Sequence, residues 1–381
     1  MRFLHVSDLH IGKRLSEFSL ADDQRHILGA ILDVVRTRQA DALLVAGDVY
    51  DKSAPSADAV ALVDYYLARA AALGVPTFVS SGNHDSAERV AYGASLFAQR
   101  NVMISPVYDG TVAHYTLEDE HGPVTFWLIP FLRPATVRAF FPDAQIDSYT
   151  DALRTVIEAC GIDATQRNVA LAHQFVTAGG ATPEMAGSEV SVGGLDNVDA
   201  SVFDAFDYVA LGHIHRPQRV GRDEVRYSGS PLKYSIDEAT HHKSAPLVEL
   251  GPKGEPARIE LVELPALHDV RMPRCTLDEL CAPETLAAAD PNDYVYAVLT
   301  DERESVEALP RLRACYPHLL GFRYDNTRSQ AAGLQGQIAA LDDARSPLQH
   351  FEEFFERQVG APMSEGQRTI VVEELEKLGV M

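Results

Sequence analysis

The strongest constraint on the fold lies in the first 85 residues, where short apolar runs alternate with stretches of helical periodicity. Residues 2–7, 41–46 (DALLVA) and 75–80 (VPTFVS) read as strands. Between the first two, residues 20–38 place Ile27, Leu28, Ile31, Leu32 and Val35 on one stripe of a helix. Ser19 is expected to cap it, with Asp22 and Asp23 in its first turn. Residues 57–73 read as a second amphipathic helix. The β-α-β-α-β order requires crossovers, and so a sheet with helices covering its faces.

After residue 101 the pieces shorten. Residues 102–106, 111–117 and 124–130 read as strands, 148–160 as a helix, and 168–173 and 208–212 as strands. Residues 218–263 are strand-rich. Two such sets predict a four-layer α/β/β/α core of two sheets with helices outside. A boundary is expected near 264–268. Beyond it, a strand at 293–300, a helix at 305–315 and a strand at 318–324 form a small α+β unit. The tail carries Leu348, Phe351 and Phe355 in 347–358, with Val359 just after, at helical spacing, and Ile370, Val371, Leu375 and Leu378 in 367–378. These faces either pack back on the chain or dock on a partner helix. The expected division is 1–265, 266–330 and 331–381, which suits a chain of 381 residues.

No run of eighteen apolar residues is present, so no membrane span is expected. The start, MRFLHVSDLH, lacks the features of a signal peptide. The four cysteines, Cys160, Cys275, Cys281 and Cys315, are scattered and form no C-x-x-C pair, which suits a reducing cytoplasm. The net charge of −22 argues against nucleic-acid binding by the whole surface. It leaves room for local neutralisation by metal ions, a confined basic patch or a partner.

The chemistry-bearing residues stand at predicted strand ends. Asp8 and His10 form D-x-H, a spacing that puts both on one face of an extended chain. Asp48 follows Gly47 in GDVYD, and a carboxylate has two oxygens with which to bridge two cations. Asn83, His84 and Asp85 lie in SGNHD; Asn83 offers a neutral oxygen and His84 a group for the substrate. His173 closes NVALAH, and His213 and His215 form GHIH. Taken singly, each has a bland explanation as a turn, a cap or a core histidine. Taken as a set, five pieces in this order at strand ends point to a site built on the loops after the strands.

The set resembles the calcineurin-like metallophosphoesterase superfamily. SDLHIGK, SGNHDSAER, GHIHRPQ and YSGSPLKYS narrow the resemblance to the SbcD-type nucleases, the bacterial branch of the meiotic-recombination-eleven nuclease family. It covers residues 1–265, with the small unit resembling a capping domain and the tail resembling helices that dock on an ATPase. The resemblance implies Asp8, His10 and His215 on one metal, Asn83, His173 and His213 on a second, and Asp48 bridging. It implies two Mn²⁺ ions, and a mixed O and N donor set suits Mn²⁺, Fe²⁺ or Zn²⁺. His84 would contact the phosphate and serve the leaving oxygen, with Asp85 steadying it. Asp51 stands where other branches have an assisting histidine. Two cations would activate a water for in-line attack on phosphorus.

The resemblance further implies double-strand 3′–5′ exonuclease and single-strand or hairpin endonuclease action in DNA repair, recombination and replication. It implies DNA duplex ends, hairpins and single strands as partners, a homodimer, and an SbcC-type coiled-coil ATPase. This chain has no G-x-x-x-x-G-K-[ST] phosphate loop, so any ATP dependence must come from elsewhere. Arg216, Arg219, Arg222, Arg226 and Lys233 suit phosphate-backbone contacts or, more simply, solvated turns paired with Asp223 and Glu224. Two other readings use the same chain. One is a phosphodiesterase for small molecules such as cyclic nucleotides. The other is a non-catalytic scaffold, which would need a broken metal set.

Overall fold

The computed structural model describes residues 1–185, 196–327, 348–349, 351–352, 355–356 and 362–377. Two six-stranded mixed sheets form its centre. In the first, β1 (Arg2–Val6), β2 (Ala42–Ala46), β3 (Thr77–Ser80) and β4 (Val102–Ile104) run parallel, in that order. Two antiparallel strands, Ser244–Glu249 and Arg258–Glu263, extend it beyond β1. In the second, β5 (Gly122–Leu128), β6 (Arg167–His173), β7 (Tyr208–Gly212) and β8 (Arg222–Tyr227) are parallel. Antiparallel edge strands, Ala113–Asp119 and Gln218–Val220, flank them.

Side-chain alternation makes the four layers. Phe3, Leu44, Phe78 and Val248 of the first sheet meet Phe126, Leu171 and Tyr208 of the second in one buried cluster. Phe78 stacks on Phe126 at 4.6 Å between ring centres. The alternate residues Leu4, Val6, Leu43 and Val45 face α1 (Ala21–Thr37) and α2 (Ala57–Ala72). Ala170, Ala172, Val209 and Leu211 face α3 (Tyr149–Ala159), whose Ser148 and Asp151 complete a reciprocal capping box. Strands covered on both faces carry apolar residues at every position, which is why DALLVA shows no alternation.

The expected four-layer architecture is therefore the one present. Details differ. The first helix is capped by Leu20 without a side-chain hydrogen bond, because Ser19 belongs to a two-residue strand with Phe18. Past residue 266, Tyr294–Leu299 pairs in parallel with Val270–Arg271, Arg274–Cys275 and Leu319–Tyr324. Val295, Ala297, Leu299, Leu312 and Tyr316 form a separate core there. In the tail, Glu365–Lys377 is helical, and Arg368 pairs with Glu352 at 2.7 Å. Residues 331–347, Val359 and Leu378 lie outside the described residues.

One largely buried ion pair ties an edge strand of the second sheet to its interior. Arg167, 2% exposed, reaches the Asp119 carboxylate at 3.0 Å and the Gly251 carbonyl at 3.1 Å. The Arg167 hydrogen bonds and the Met1 ammonium hold Asp119 well below the usual carboxylate range, against a smaller opposing effect of burial. Arg167→Met should cost about 1–3 kcal/mol at pH 7, the scale for leaving buried acceptors without their donor. A depressed carboxylate pKa contributes stability above its unfolded value and loses it as pH falls toward the folded one. The urea midpoints of wild type and variant should therefore begin to draw together as pH falls below about 4. Equal midpoints at pH 7 would remove the pair from the stability account.

Candidate metal centre

The strand ends of both sheets converge on one cradle. Asp8 and His10 leave β1, and the chain beyond the strand stays paired with the loop after β2. Asp8 N–H donates to the Gly47 carbonyl at 3.1 Å, His10 N–H to Asp48 at 2.9 Å and Ile11 N–H to Val49 at 2.9 Å. The second sheet is tied in by the His213 N–H, which donates to Asp8 Oδ1 at 2.9 Å. Close approach is possible because Gly47 and Gly82 lack side chains. A Cβ on Gly47 would stand 2.4 Å from His173 Nδ1, and one on Gly82 would stand 2.1 Å from Asp48 Oδ1.

Asp8, His10, Asp48 and His213 all have positive φ, at 52°, 41°, 49° and 108°. Residues with a Cβ resist this region, so the fold holds four strained backbones to aim these groups inward.

Three sets of donors each lie within 4.8 Å of one another: Asp8, His10 and His215; Asp8, Asp48 and His173; and His10, Asp48 and His84. Asp8, His10, Asp48, His173 and His215 are all buried. Asn83 Oδ1 stands 3.0 Å from both His173 Nε2 and His213 Nδ1. All seven residues expected to hold metal are thus in one place.

The back nitrogens decide which atoms face the cradle. His173 Nδ1 donates to the Ala46 carbonyl at 2.9 Å, and His215 Nδ1 donates to the Glu238 carboxylate at 3.1 Å. Each ring therefore presents its Nε2 lone pair inward. His215 Nε2 faces His10 Nε2 at 3.1 Å, and His173 Nε2 faces Asp48 Oδ2 at 3.3 Å. Lone pairs aimed at lone pairs in a buried space require either protons or cations. The donor set fits divalent cations in both kind and placement.

Ionisation follows the same logic. Burial pushes Asp8 up, partly offset by His173 and His215. Burial also pushes Asp48 up, but the charge and hydrogen bond of His173, with His10 and His84, take it well below its ordinary value. Desolvation lowers His173, yet Asp48 and Asp8 outweigh it and raise the ring. Desolvation drives His10 and His213 down, His213 to about 3. Without a cation, Asp48 and His173 share a proton that a cation would replace.

Several expectations need correction. Asp48 Oδ1 accepts the His84 N–H at 2.9 Å. Oδ2 is the inward atom, 3.6 Å from His10 Nε2. Asp85 does not steady the His84 ring. Its carboxylate accepts the backbone N–H groups of Gly82, Val49 and Tyr50 at 2.9, 3.1 and 2.9 Å, fastening the β3 loop to the β2 loop. Burial and then Asp48 push it up to about 6, against those three bonds. Asp51 holds His84, but through its carbonyl, which accepts from His84 Nδ1 at 3.0 Å. Four of the five residues of the basic cluster are internally committed. Arg216 pairs with Glu184, Arg219 with Asp223 at 2.8 Å, Arg222 with the Phe206 carbonyl at 2.6 Å and Lys233 with Asp269 at 2.8 Å. The solvated-turn reading of those residues is the one the geometry favours.

Two groups went unread in the sequence. Glu238 is fully buried, and Lys243 neutralises it at 2.6 Å. The signal was present: a metal-facing histidine needs an acceptor behind it, and Glu238 follows the YSGSPLKYS segment closely.

Residues 1–217 match the family described as calcineurin-like phosphoesterase. The chain belongs to that family. As a calcineurin-like phosphoesterase it is a metal-dependent phosphodiesterase, and divalent metal ions are its implied cofactor. Residues 266–359 match a second family, described as the type 5 capsule protein repressor C-terminal domain. Among curated proteins, the chain is 29% identical over 325 residues to the D subunit of the nuclease SbcCD of Staphylococcus epidermidis, covering 84% of each chain. Among solved structures, it is similar to TT1561 of Thermus thermophilus, with a TM-score of 0.40 and 13% identity over 69% of this chain and 99% of that one. It is also similar to a dimetal phosphatase from Danio rerio, with a TM-score of 0.39 and 11% identity over 70% and 99%. Among the described residues no helix is long and apolar enough to cross a membrane.

Proposed function

We propose that this phosphoesterase is a Mn²⁺-dependent DNA nuclease, acting on duplex ends and on single strands or hairpins. The observation that carries the metal chemistry is the inward-facing donor set. Asp8, His10 and His215 would hold one cation and Asn83, His173 and His213 the other, with Asp48 Oδ2 between them. Bound there, the cations supply an activated water and polarise the phosphoryl group. The remaining work belongs to the chain. Asp8, at the meeting of the two sheets, keeps the two ligand sets in register. His84 keeps its Nδ1–H on the Asp51 carbonyl, which leaves Nε2 for the phosphate and the departing sugar oxygen.

Support for DNA as substrate is the likeness to the SbcCD nuclease's D subunit along 84% of this chain. On the same ground we assign residues 1–265 to the nuclease unit, 266–330 to a cap and 331–381 to docking on an SbcC-type ATPase, in a homodimer acting in DNA repair and recombination in the cytoplasm. The test compares an end-labelled DNA hairpin with a chromogenic phosphodiester, both with Mn²⁺. Hairpin cleavage at nanomolar protein, falling as salt rises, is the expected result. Turnover confined to the chromogenic ester would favour a small-molecule phosphodiesterase instead.

Glu238 gives a second test. Glu238→Gln keeps the shape but weakens the acceptor behind His215, so Mn²⁺ affinity should fall roughly 10–100-fold. Calorimetric titration of the metal-free protein reads this directly. Unchanged affinity would detach His215 from the metal.

A further inference from the structure

Two of the inward-facing histidines are oriented from behind, and His10 is not. His173 has the Ala46 carbonyl and His215 has Glu238, whereas His10 Nδ1 is buried with no hydrogen-bond partner among the described residues. Asp51 Oδ1 lies 3.8 Å from it, beyond hydrogen-bond reach. That same oxygen is 2.9 Å from the Lys13 ammonium.

We infer that Lys13 is a positioning residue that holds the Asp51 carboxylate off His10 until a substrate phosphate draws the ammonium away. This rests on the metal-dependent phosphodiesterase reading above and adds a device to it. Lys13 is placed for such an exchange. Its side chain is 22% exposed, and with Arg14, Arg25, Lys52 and Asp51 it lines a cavity of about 690 Å³ at the start of α2. Asp58 is the further carboxylate in that lining, so four cationic side chains face two anionic ones. An ammonium on a four-carbon stem can trade one oxygen partner for another without moving the backbone.

The backbone there is fixed. Lys13 N–H donates to the His10 carbonyl at 3.0 Å, and Asp51 N–H to the Ile11 carbonyl at 3.2 Å. Only the side-chain ends need to shift, by about 1 Å, for Asp51 to accept the His10 Nδ1–H. The Asp51 carbonyl keeps its bond to His84 throughout, so the move costs nothing at that ring. A carboxylate behind His10 makes its Nε2 a stronger ligand. Phosphate and cation would then each favour the other, since such coupling is reciprocal.

The test is calorimetric titration of metal-free protein with Mn²⁺, with and without saturating thymidine 5′-monophosphate, which has no phosphodiester left to cleave. Lys13→Met should bind Mn²⁺ about 10-fold more tightly than wild type without the nucleotide, the scale of orienting effects on a metal ligand. The nucleotide should tighten wild type further and the variant much less. Contacts of the nucleotide with the cations themselves act equally in both proteins and cancel. Lys13→Arg keeps the ion pair and should follow wild type. Asp51→Asn should lose the extra coupling without gaining affinity. Wild-type affinity in Lys13→Met, or equal coupling in both proteins, would overturn the inference. Intact coupling in a protein that leaves the DNA hairpin uncut would support it while striking the nuclease reading alone.

Discussion

Asp48→Ala is expected to reduce Mn²⁺-dependent hairpin cleavage by roughly 10³-fold or more. Metal contributions of several kcal/mol to transition-state charge convert to that scale at about 1.4 kcal/mol per decade. The reason is positional. Asp48 Oδ2 stands 3.3 Å from His173 Nε2 and 3.6 Å from His10 Nε2, so one atom lies against members of both proposed ligand sets. Its loss also leaves the His84 N–H without the acceptor it has at 2.9 Å. The raised His173 should relax toward neutrality, because Asp48 is the principal group opposing its desolvation. Calorimetry should show the metal stoichiometry falling along with activity. A variant that retains two tightly bound ions would place the bridge elsewhere, even if it were inactive. Asp48→Asn provides the control for shape: it keeps an oxygen but not the charge, and should recover little.

His84→Ala should behave differently. Turnover is expected to fall by a factor on the order of 10²–10⁴, the range for losing a general acid–base group. Metal affinity should stay at the wild-type level. The separation is possible because His84 serves Asp48 through its backbone N–H, which alanine retains, and would serve the substrate through its ring. The ring lies 4.9 Å from that of His10 and is held at Nδ1 by a backbone carbonyl, so its removal frees no buried charge. An interaction made only in the transition state lowers kcat and kcat/KM together. A rise in KM with kcat unchanged would make His84 a binding group. Weakened Mn²⁺ binding would instead make it a ligand, which its place beside His10 and Asp48 permits geometrically.

The difference between these variants shows what local sequence can and cannot supply. Asp8, His10, Asp48, Asn83, His173, His213 and His215 were legible because a strand end is a local property. Apolar runs stop, a polar residue follows, and the parallel order of strands sends every such end to one side of the sheet. The architecture was legible for the same reason. Residues buried on both faces must be apolar throughout, and that pattern survives in DALLVA and NVALAH.

What the chain hid were the partners of those groups, because partnership is a fact about distance. Asp85 stands next to His84, yet its carboxylate turns to Val49 and Tyr50, more than thirty residues away. Asp51 meets His84 with a carbonyl that every residue possesses, so its side chain carried no signal. The arginines after His215 suit either a phosphate surface or solvated turns by sequence alone, and the positions of Glu184, Asp223 and the Phe206 carbonyl favour the second. Glu238 was one acid among 55 Asp and Glu until folding buried it behind His215. Residue order alone settles which candidate donors exist and which end of the sheets they occupy. Which lone pair of each group faces inward is left to packing in three dimensions, because it depends on what lies behind the ring or carboxylate.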